Sequence, residues 1–577
     1  MASETSSEMQ GERAPATTPT VSSNGHAGAP DGVGKKGKLH GRAFYESIGS
    51  PKIVLAPMVE QSEFVRISPL HRGAPAWLTV CSQAWRVLTR SFLPPSEQAS
   101  LLAYTPMFHS KMFAEMPKYR DSHFQPLTTA IPSPVDPYHI SQLPESDRHL
   151  DGNPKHDRPL FVQFCSNDPS DLFKAAQHVA PFCDAVDLNL GCPQGIAKRG
   201  NYGAFLQEDW GLIASMIGRL HKELDVPVTA KMRILETKEK TLEYAKTILE
   251  AGASIITVHG RRREQKGHNT GLAEWSVIRY LRQNLPNDTV IFANGNILQH
   301  EDIGKCLHET GADGVMSAEG NLYDPTIFAE PPPVGEEGRE YWRGRDGKGG
   351  FRMDAVMRRY MDIIHKYALG QEPPERKPLF LPGDPEEPVG APDEEEADDG
   401  PAKKKMKQSK ADRKQLQIKN PNLSAMQAHL FHLLRPLVSQ HHNVRDALAG
   451  CRVANIDAFE NVLKLVEAAV KEGLIEYEKE HANEPSYTAP ESDDVVQNGT
   501  NGHIEDGPID PYESSLATVA RCKRPWWVCQ PYVRPLPKEA FEKGSMQLSK
   551  KEKMRLEQEK LESKSEDVEQ KETAVVG

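Results

Sequence analysis

Short apolar runs alternate with amphipathic stretches over residues 50–330, and this alternation is the strongest structural signal in the chain. Eight runs, at 53–57, 101–104, 160–164, 185–188, 228–230, 255–258, 290–293 and 314–316, are too short for helices and read as strands of a buried parallel sheet. Residues 171–180, 210–224, 241–251 and 303–310 carry helical spacing between them, with Gly252 and Gly311 where helix C-caps belong. Eight strands alternating with helices over about 250 residues predict an α/β fold, a (β/α)₈ TIM barrel spanning 46–330. A doubly wound sheet is disfavoured, because it would show fewer strands and no G-x-G-x-x-G follows a strand here.

Composition divides the remainder. Residues 1–45, rich in Ser, Thr, Gly and Ala, read as a disordered leader without the apolar core of a secretory signal. Residues 331–415 read as a low-complexity linker, acidic over 384–399 and basic over 403–419; the lysines at 403–407 suit a nuclear signal, an RNA-contacting tether or a solvated linker. A small helical domain is expected over 416–480, with helices at 422–437 and 455–474. Residues 481–577 read as a largely disordered tail that carries one aromatic motif, 524–537.

The net charge of -11 excludes a simple polycation that coats nucleic acid, yet leaves RNA binding open because the charge is unevenly placed. No apolar run reaches the roughly 18 residues of a membrane span, so no membrane partner is expected. The eight cysteines lack paired spacing, which fits a reducing compartment, cytoplasmic and/or nuclear. Cys522 and Cys529 stand too far apart for a zinc knuckle, and no metal site is expected.

Barrel chemistry gathers at the C-terminal ends of the strands. The residues there are Met58, Thr105, Gln163, Asn189, Lys231 with Arg233, His259, Asn294-Gly295-Asn296, and Ser317 with Glu319-Gly320. Any one of them is an ordinary turn residue; the set in register predicts a site. The glycines after the seventh and eighth strands allow backbone N–H groups close to a phosphate. Lys231 suits an electron-rich ring edge, and Gln163 both donates and accepts. After the fourth strand, Asp187-Leu-Asn-Leu-Gly-Cys-Pro193 places Cys192 in a rim loop followed by a basic, glycine-rich stretch, 198–206, suited to an anionic ligand.

Taken together, Ala56-Pro57-Met58, Asn189-Leu-Gly-Cys-Pro193 with Gly203-Ala204, Lys231-Met-Arg233, the 259–265 segment His-Gly-Arg-Arg-Arg-Glu-Gln, and Ala293-Asn-Gly-Asn296 resemble the tRNA-dihydrouridine synthase family. Residues 187–207 are similar to the eukaryotic branch that acts on D-loop uridines 16 and 17. The resemblance covers residues 50–330 and extends more weakly to the helical region and the aromatic motif. It implies FMN held by Pro57, Met58, Val59, Gln163, Lys231, His259, Asn294, Gly295, Asn296, Glu319 and Gly320. It further implies NADPH or NADH as reductant, the tRNA D-loop as substrate, a chain acting as a monomer, and Cys192 as the acid that protonates uracil C5 after hydride reaches C6. By resemblance the helical region clamps tRNA, and His429, His432, Arg435, His441, His442 and Arg445 offer it a mildly basic face.

The chain departs from the family pattern at 65–83, which lacks helical periodicity and carries Pro69, Gly73 and Pro75 as breakers. This segment has the length of a short fungal-type intron retained in frame; a genuine surface insertion is the alternative. If translated, it is expected to disrupt the first barrel helix, which should follow at 84–90. Two other readings stay open: an FMN barrel oxidoreductase acting on a small molecule, or an inactive RNA-binding homologue.

Overall fold

The computed structural model describes residues 38–58, 82–267, 270–385, 420–453, 455–485, 487 and 520–532. The barrel is built from β1 (Ile53–Leu55), β2 (Leu101–Tyr104), β4 (Leu160–Cys165), β5 (Ala185–Leu190), β6 (Val228–Arg233), β7 (Ile255–His259), β8 (Val290–Asn294) and β9 (Gly314–Ser317). A short β3 (Phe108–His109) pairs only with the end of β4. All ladders of the barrel sheet are parallel, and each of the eight expected runs is a strand. Closure comes from β1, which pairs with β9 on one side (Val54 opposite Met316) and with β2 on the other (Val54 opposite Leu102). β2 then pairs with β4, Tyr104 opposite Phe161.

The helices lie where their caps require. Asp168 accepts from the Ser170 and Asp171 N–H groups and starts Pro169–Val179; Asp209 and Thr237 do the same for Trp210–Glu223 and Lys238–Glu250. Gly311, in the left-handed region, ends Glu301–Thr310. Among the described residues no helix is long and apolar enough to cross a membrane.

Three stretches differ from expectation. The leader was expected to run through residue 45, yet Gly41–Ser47 is a helix. Its Phe44 and Tyr45 enter the end of the barrel opposite the strand C-termini, Phe44 stacking on Phe161 with ring centroids 5.9 Å apart. Tyr45 donates to the Pro51 and Asp313 carbonyls, and Arg42 pairs with Asp313 at 2.6 Å. Two aromatic residues in a Gly- and Ser-rich stretch are enough to order it once a barrel interior is available to bury them.

Within 331–415, expected as linker, β10 (Tyr341–Arg343) and β11 (Gly349–Phe351) form an antiparallel hairpin, and a helix over Met353–Ile363 buries Val356, Met357, Tyr360 and Met361. The surrounding Gly and Pro masked this local periodicity. The expected 422–437 helix is divided into Pro421–Leu433 and Arg435–Gln440, because Pro436 can take only a first-turn position. The second expected helix, 455–474, runs further than its apolar spacing suggested, over Ile456–Glu480.

Residues 65–81 of the proposed insertion, the basic stretch 403–419 and residues 533–577 of the tail lie outside the described residues. The helix expected after the insertion is formed, over Gln83–Arg90. Its Trp85 donates to Asn321 Oδ1 at 2.9 Å, and the Ala84 N–H donates to Asn422 Oδ1. Trp85 also packs on His429, which is fully buried and hydrogen-bonded to the Tyr360 hydroxyl at 2.7 Å. His429 is therefore part of the core between barrel and helices, not of a basic outer face.

Candidate active site

A cavity of about 360 Å³ opens at the C-terminal mouth of the barrel. It collects Pro57 and Met58 beyond β1, Gln163 from β4, Cys192 beyond β5, Lys231 from β6 and His259 from β7. Asn294, Gly295 and Asn296 at the end of β8 complete it with Glu319 and Gly320 beyond β9. Of the residues expected to hold FMN or to supply the proton, only Val59 lies outside the described residues. Gly320 sits there because the two last loops nearly touch: a Cβ on it would come within 2.2 Å of the Ile297 carbonyl oxygen.

A buried chain of hydrogen bonds fixes the Cys192 loop. Thr229 Oγ1 donates to Asp187 Oδ1 at 2.6 Å and Gln163 Nε2 to Asp187 Oδ2 at 2.8 Å. Asn189 Nδ2 donates to Gln163 Oε1 at 2.7 Å. The Asn189 side-chain oxygen then accepts the N–H groups of Gly191 (3.1 Å) and Cys192 (2.9 Å). From the other side, the Ala204 N–H donates to the Cys192 carbonyl at 3.1 Å. Gly203 has φ +65, and a Cβ on it would lie 2.8 Å from the Cys192 carbonyl oxygen and 2.9 Å from its Cβ, so the glycine is what lets the loop fold back onto the cysteine.

Among the described cysteines Cys192 alone is partly exposed; the other six are buried. Burial raises its thiol pKa, and the Gln194 N–H and the nearby Arg233, Lys231 and Lys266 oppose that only in part. The sulfur is thus held as a protonated thiol at neutral pH. Burial likewise raises Asp187 to about 6, against the hydrogen bonds from Thr229 and Gln163.

The adjoining wall is cationic. Lys231 Nζ donates to Asn294 Oδ1 at 3.0 Å, and Asn294 Nδ2 donates to the Met316 carbonyl at 2.8 Å. Burial, with Arg233 adding repulsion, lowers Lys231 to about 8. Arg233 Nε holds the Gly191 carbonyl at 2.7 Å. Arg261 donates to Asn296 Oδ1 at 2.7 Å and lies 3.2 Å from His259 Nε2. A guanidinium only donates, so His259 Nε2 accepts and its proton sits on Nδ1. Burial and the cations Arg233, Lys231 and Arg261 hold His259 neutral, well below the usual imidazole range.

Sequence reasoning missed several residues that the fold brings here. Arg261, within the 259–265 motif, received no role, and the bracing by Asp187 and Asn189 emerges only when β4, β5 and β6 align. Tyr323, His432, Arg435 and Tyr532 also line the cavity, from three segments far apart in the chain. Of the residues expected to form a basic face, His432 and Arg435 turn toward the cavity instead.

A tRNA-dihydrouridine(16/17) synthase NAD(P)(+) of Schizosaccharomyces pombe is 39% identical over 500 residues, covering 86% of this chain and 92% of that protein. A model of the dihydrouridine synthase (Dus) family matches residues 54–341. The chain belongs to the dihydrouridine synthase family. A Saccharomyces cerevisiae member with the same description is 38% identical over 512 residues, covering 88% of this chain and 90% of that protein. A human tRNA-dihydrouridine(20a/20b) synthase NAD(P)+-like protein is 30% identical over 249 residues, 43% of this chain and 67% of that protein. For this Dus chain, the match to the yeast 16/17 enzymes is long enough to run past the barrel into the helices, whereas the 20a/20b relative matches a much shorter stretch.

Proposed function

We propose that this chain is an NAD(P)H-dependent, FMN-containing tRNA-dihydrouridine synthase that reduces the C5=C6 bond of D-loop uridines 16 and 17. The observation that carries this reading is the near full-length similarity to the two yeast enzymes of that description, with a protonated, partly exposed thiol at the barrel mouth.

The residues present fit a flavin. The mouth combines an ammonium, a guanidinium-braced amide and several uncharged amides in one cavity, the mixture an isoalloxazine edge and a phosphate require. Gln163, Lys231, His259 and Asn294 would face the ring system, Pro57 and Met58 would pack on it, and the backbone N–H groups of Gly295, Asn296, Glu319 and Gly320 would receive the phosphate. Bound FMN would carry two electrons from NADPH or NADH and deliver them to uracil C6 as hydride.

The chain's own part in the reaction is proton supply and positioning. Hydride at C6 leaves electron density on C5 and O4, and the reaction completes when C5 takes a proton. Cys192 Sγ supplies that proton and is reprotonated from solvent. Asn189 and Gly203 hold its loop at the rim, and the Arg233–Gly191 bond prevents it from swinging away. The base must leave its stack to enter a cavity of this kind.

The decisive test is mass spectrometry of D-loop nucleosides in tRNA from a strain lacking this chain, with and without the restored gene. Dihydrouridine at positions 16 and 17 is expected to vanish and return. Its persistence without the gene overturns the assignment and leaves a small-molecule flavin reductase or an inactive RNA-binding homologue as the reading.

Lys231 makes flavin retention pH-dependent. Its ammonium titrates near 8 in the open site, and an anionic or electron-rich ligand favours the charged form and pulls that value upward. Flavin affinity is therefore flat below about pH 8 and falls above it, by up to about tenfold per pH unit, until the liganded pKa is passed. Flavin fluorescence released on raising the pH measures this; a Lys231→Met protein should bind more weakly and lose the dependence.

A further inference from the structure

Residues 524–532, the described part of the aromatic motif near the C-terminus, are packed on the fold. Residues 520–532 run as a strap across the outer elements of the fold. Arg521 pairs with Asp302 at 2.7 Å, beside the barrel. The Met353 N–H donates to the Trp527 carbonyl and the Cys529 N–H to the Phe351 carbonyl, both at 2.9 Å. Trp526 and Trp527 cover Gly473 so closely that a Cβ there would meet their rings at 2.7 and 2.8 Å. The strap therefore ties the hairpin and the Ile456–Glu480 helix to the barrel, and its far end, Tyr532, reaches the cavity that holds Cys192.

At that end the Arg435 guanidinium lies over the Tyr532 ring, 3.6 Å from its centroid. Arg435 also approaches the Tyr323 hydroxyl at 3.5 Å, and the Tyr323 and Tyr532 rings lie 5.6 Å apart, with His432 edge-on to Tyr323 at 4.9 Å. A guanidinium flat on an aromatic face has its rotation restricted, and its N–H edge then points in a defined direction, the arrangement suited to a planar or tetrahedral oxyanion. The barrel-side cations Lys231 and Arg261 are engaged with Asn294 and Asn296 across the mouth. Arg435 belongs to a different wall, built from helix and strap, and so faces a different part of the ligand.

We infer that Tyr532 and Arg435 form an RNA-phosphate subsite of the active-site cavity, in which the strap tyrosine holds the arginine flat to grip the backbone of the nucleotide presented to Cys192. This rests on the proposed RNA substrate. Arg435 is the contacting residue, and Tyr532 is a positioning residue acting through it. A phosphate outside the reacting base explains why a cation is placed on the outer wall, and why the C-terminal segment, so distant in sequence, is anchored at several points to bring one ring there.

The test uses the full-length flavin-loaded enzyme and an unmodified D-loop tRNA transcript, with affinity read by fluorescence anisotropy across a salt series and turnover read as dihydrouridine formed. Arg435→Gln is expected to weaken RNA binding about tenfold and to lower the slope of log affinity against log salt by about one. Tyr532→Ala is expected to raise KM for tRNA about tenfold with kcat within about twofold, because the stack and not the chemistry is lost. Tyr532→Phe, which keeps the ring, is expected to restore KM. An unchanged salt slope in Arg435→Gln overturns the phosphate contact, and failure of Tyr532→Phe to rescue overturns the positioning role. Should the wild-type enzyme bind the transcript but reduce no uridine, the proposed reaction fails, while the anisotropy series still judges the subsite: unchanged affinity in both Arg435→Gln and Tyr532→Ala overturns it.

Discussion

A Cys192→Ala enzyme is expected to purify yellow, to oxidise NAD(P)H with its flavin, and to form dihydrouridine about 10²- to 10⁴-fold more slowly than wild type, the range for removal of a positioned acid. The reasoning is geometric first. Cys192 sits on the loop after β5, facing the cavity, with its backbone held by Asn189, Arg233 and Gly203 and its sulfur left for chemistry. Burial keeps the thiol protonated despite three nearby cations, which is the state a proton donor needs. Because its backbone is what the fold grips, truncating the side chain should leave the loop, and hence the flavin, in place. Single-turnover reduction of tRNA by the pre-reduced enzyme separates the two half-reactions. Loss of flavin from the variant would assign Cys192 a structural role instead.

An Arg86→Ala protein is expected to lose about 3–5 kcal/mol of stability, the cost of breaking a buried ion pair by removing one partner. Arg86 is wholly buried, donating through Nε and one terminal nitrogen to the two Asp157 oxygens at 2.8 and 2.6 Å and to Asp151 Oδ1 at 2.8 Å. Without it two carboxylates stay in the interior with no cation between them. Chemical denaturation should show the midpoint falling with little change in slope. Acidification should narrow the deficit, since the orphaned carboxylates then take up protons more readily in the folded protein than in the unfolded chain. The arginine stands in the helix directly after the 65–83 segment, so this measurement also reports whether that helix is docked in the protein in solution. A deficit under about 1 kcal/mol, the range of an exposed pair, would mean that it is not.

The chain's local pattern was enough to establish the strands, most helices and the identity of the residues at the mouth. Each of these has a signature within a few residues: apolar runs such as 160–164, capping residues such as Asp168 and Gly311, and Asn-Gly or Gly-Cys-Pro at strand ends. Such signals are legible because a turn of helix or a strand end is chosen by its own neighbours. The closing of β1 onto β9, the Asp187–Gln163–Asn189 chain that braces Cys192, the Phe44–Tyr45 plug, the burial of His429 and the arrival of Tyr532 beside Arg435 have no such signature. They join residues separated by tens to hundreds of positions, and no local spacing tells an exposed histidine from one bound for the space between Trp85 and Tyr360. The sequence by itself determined what stands at the barrel mouth. The tertiary structure decided what holds it there and what faces it, because those contacts arise only when the barrel closes and the helices and strap find surfaces that do not exist before it does.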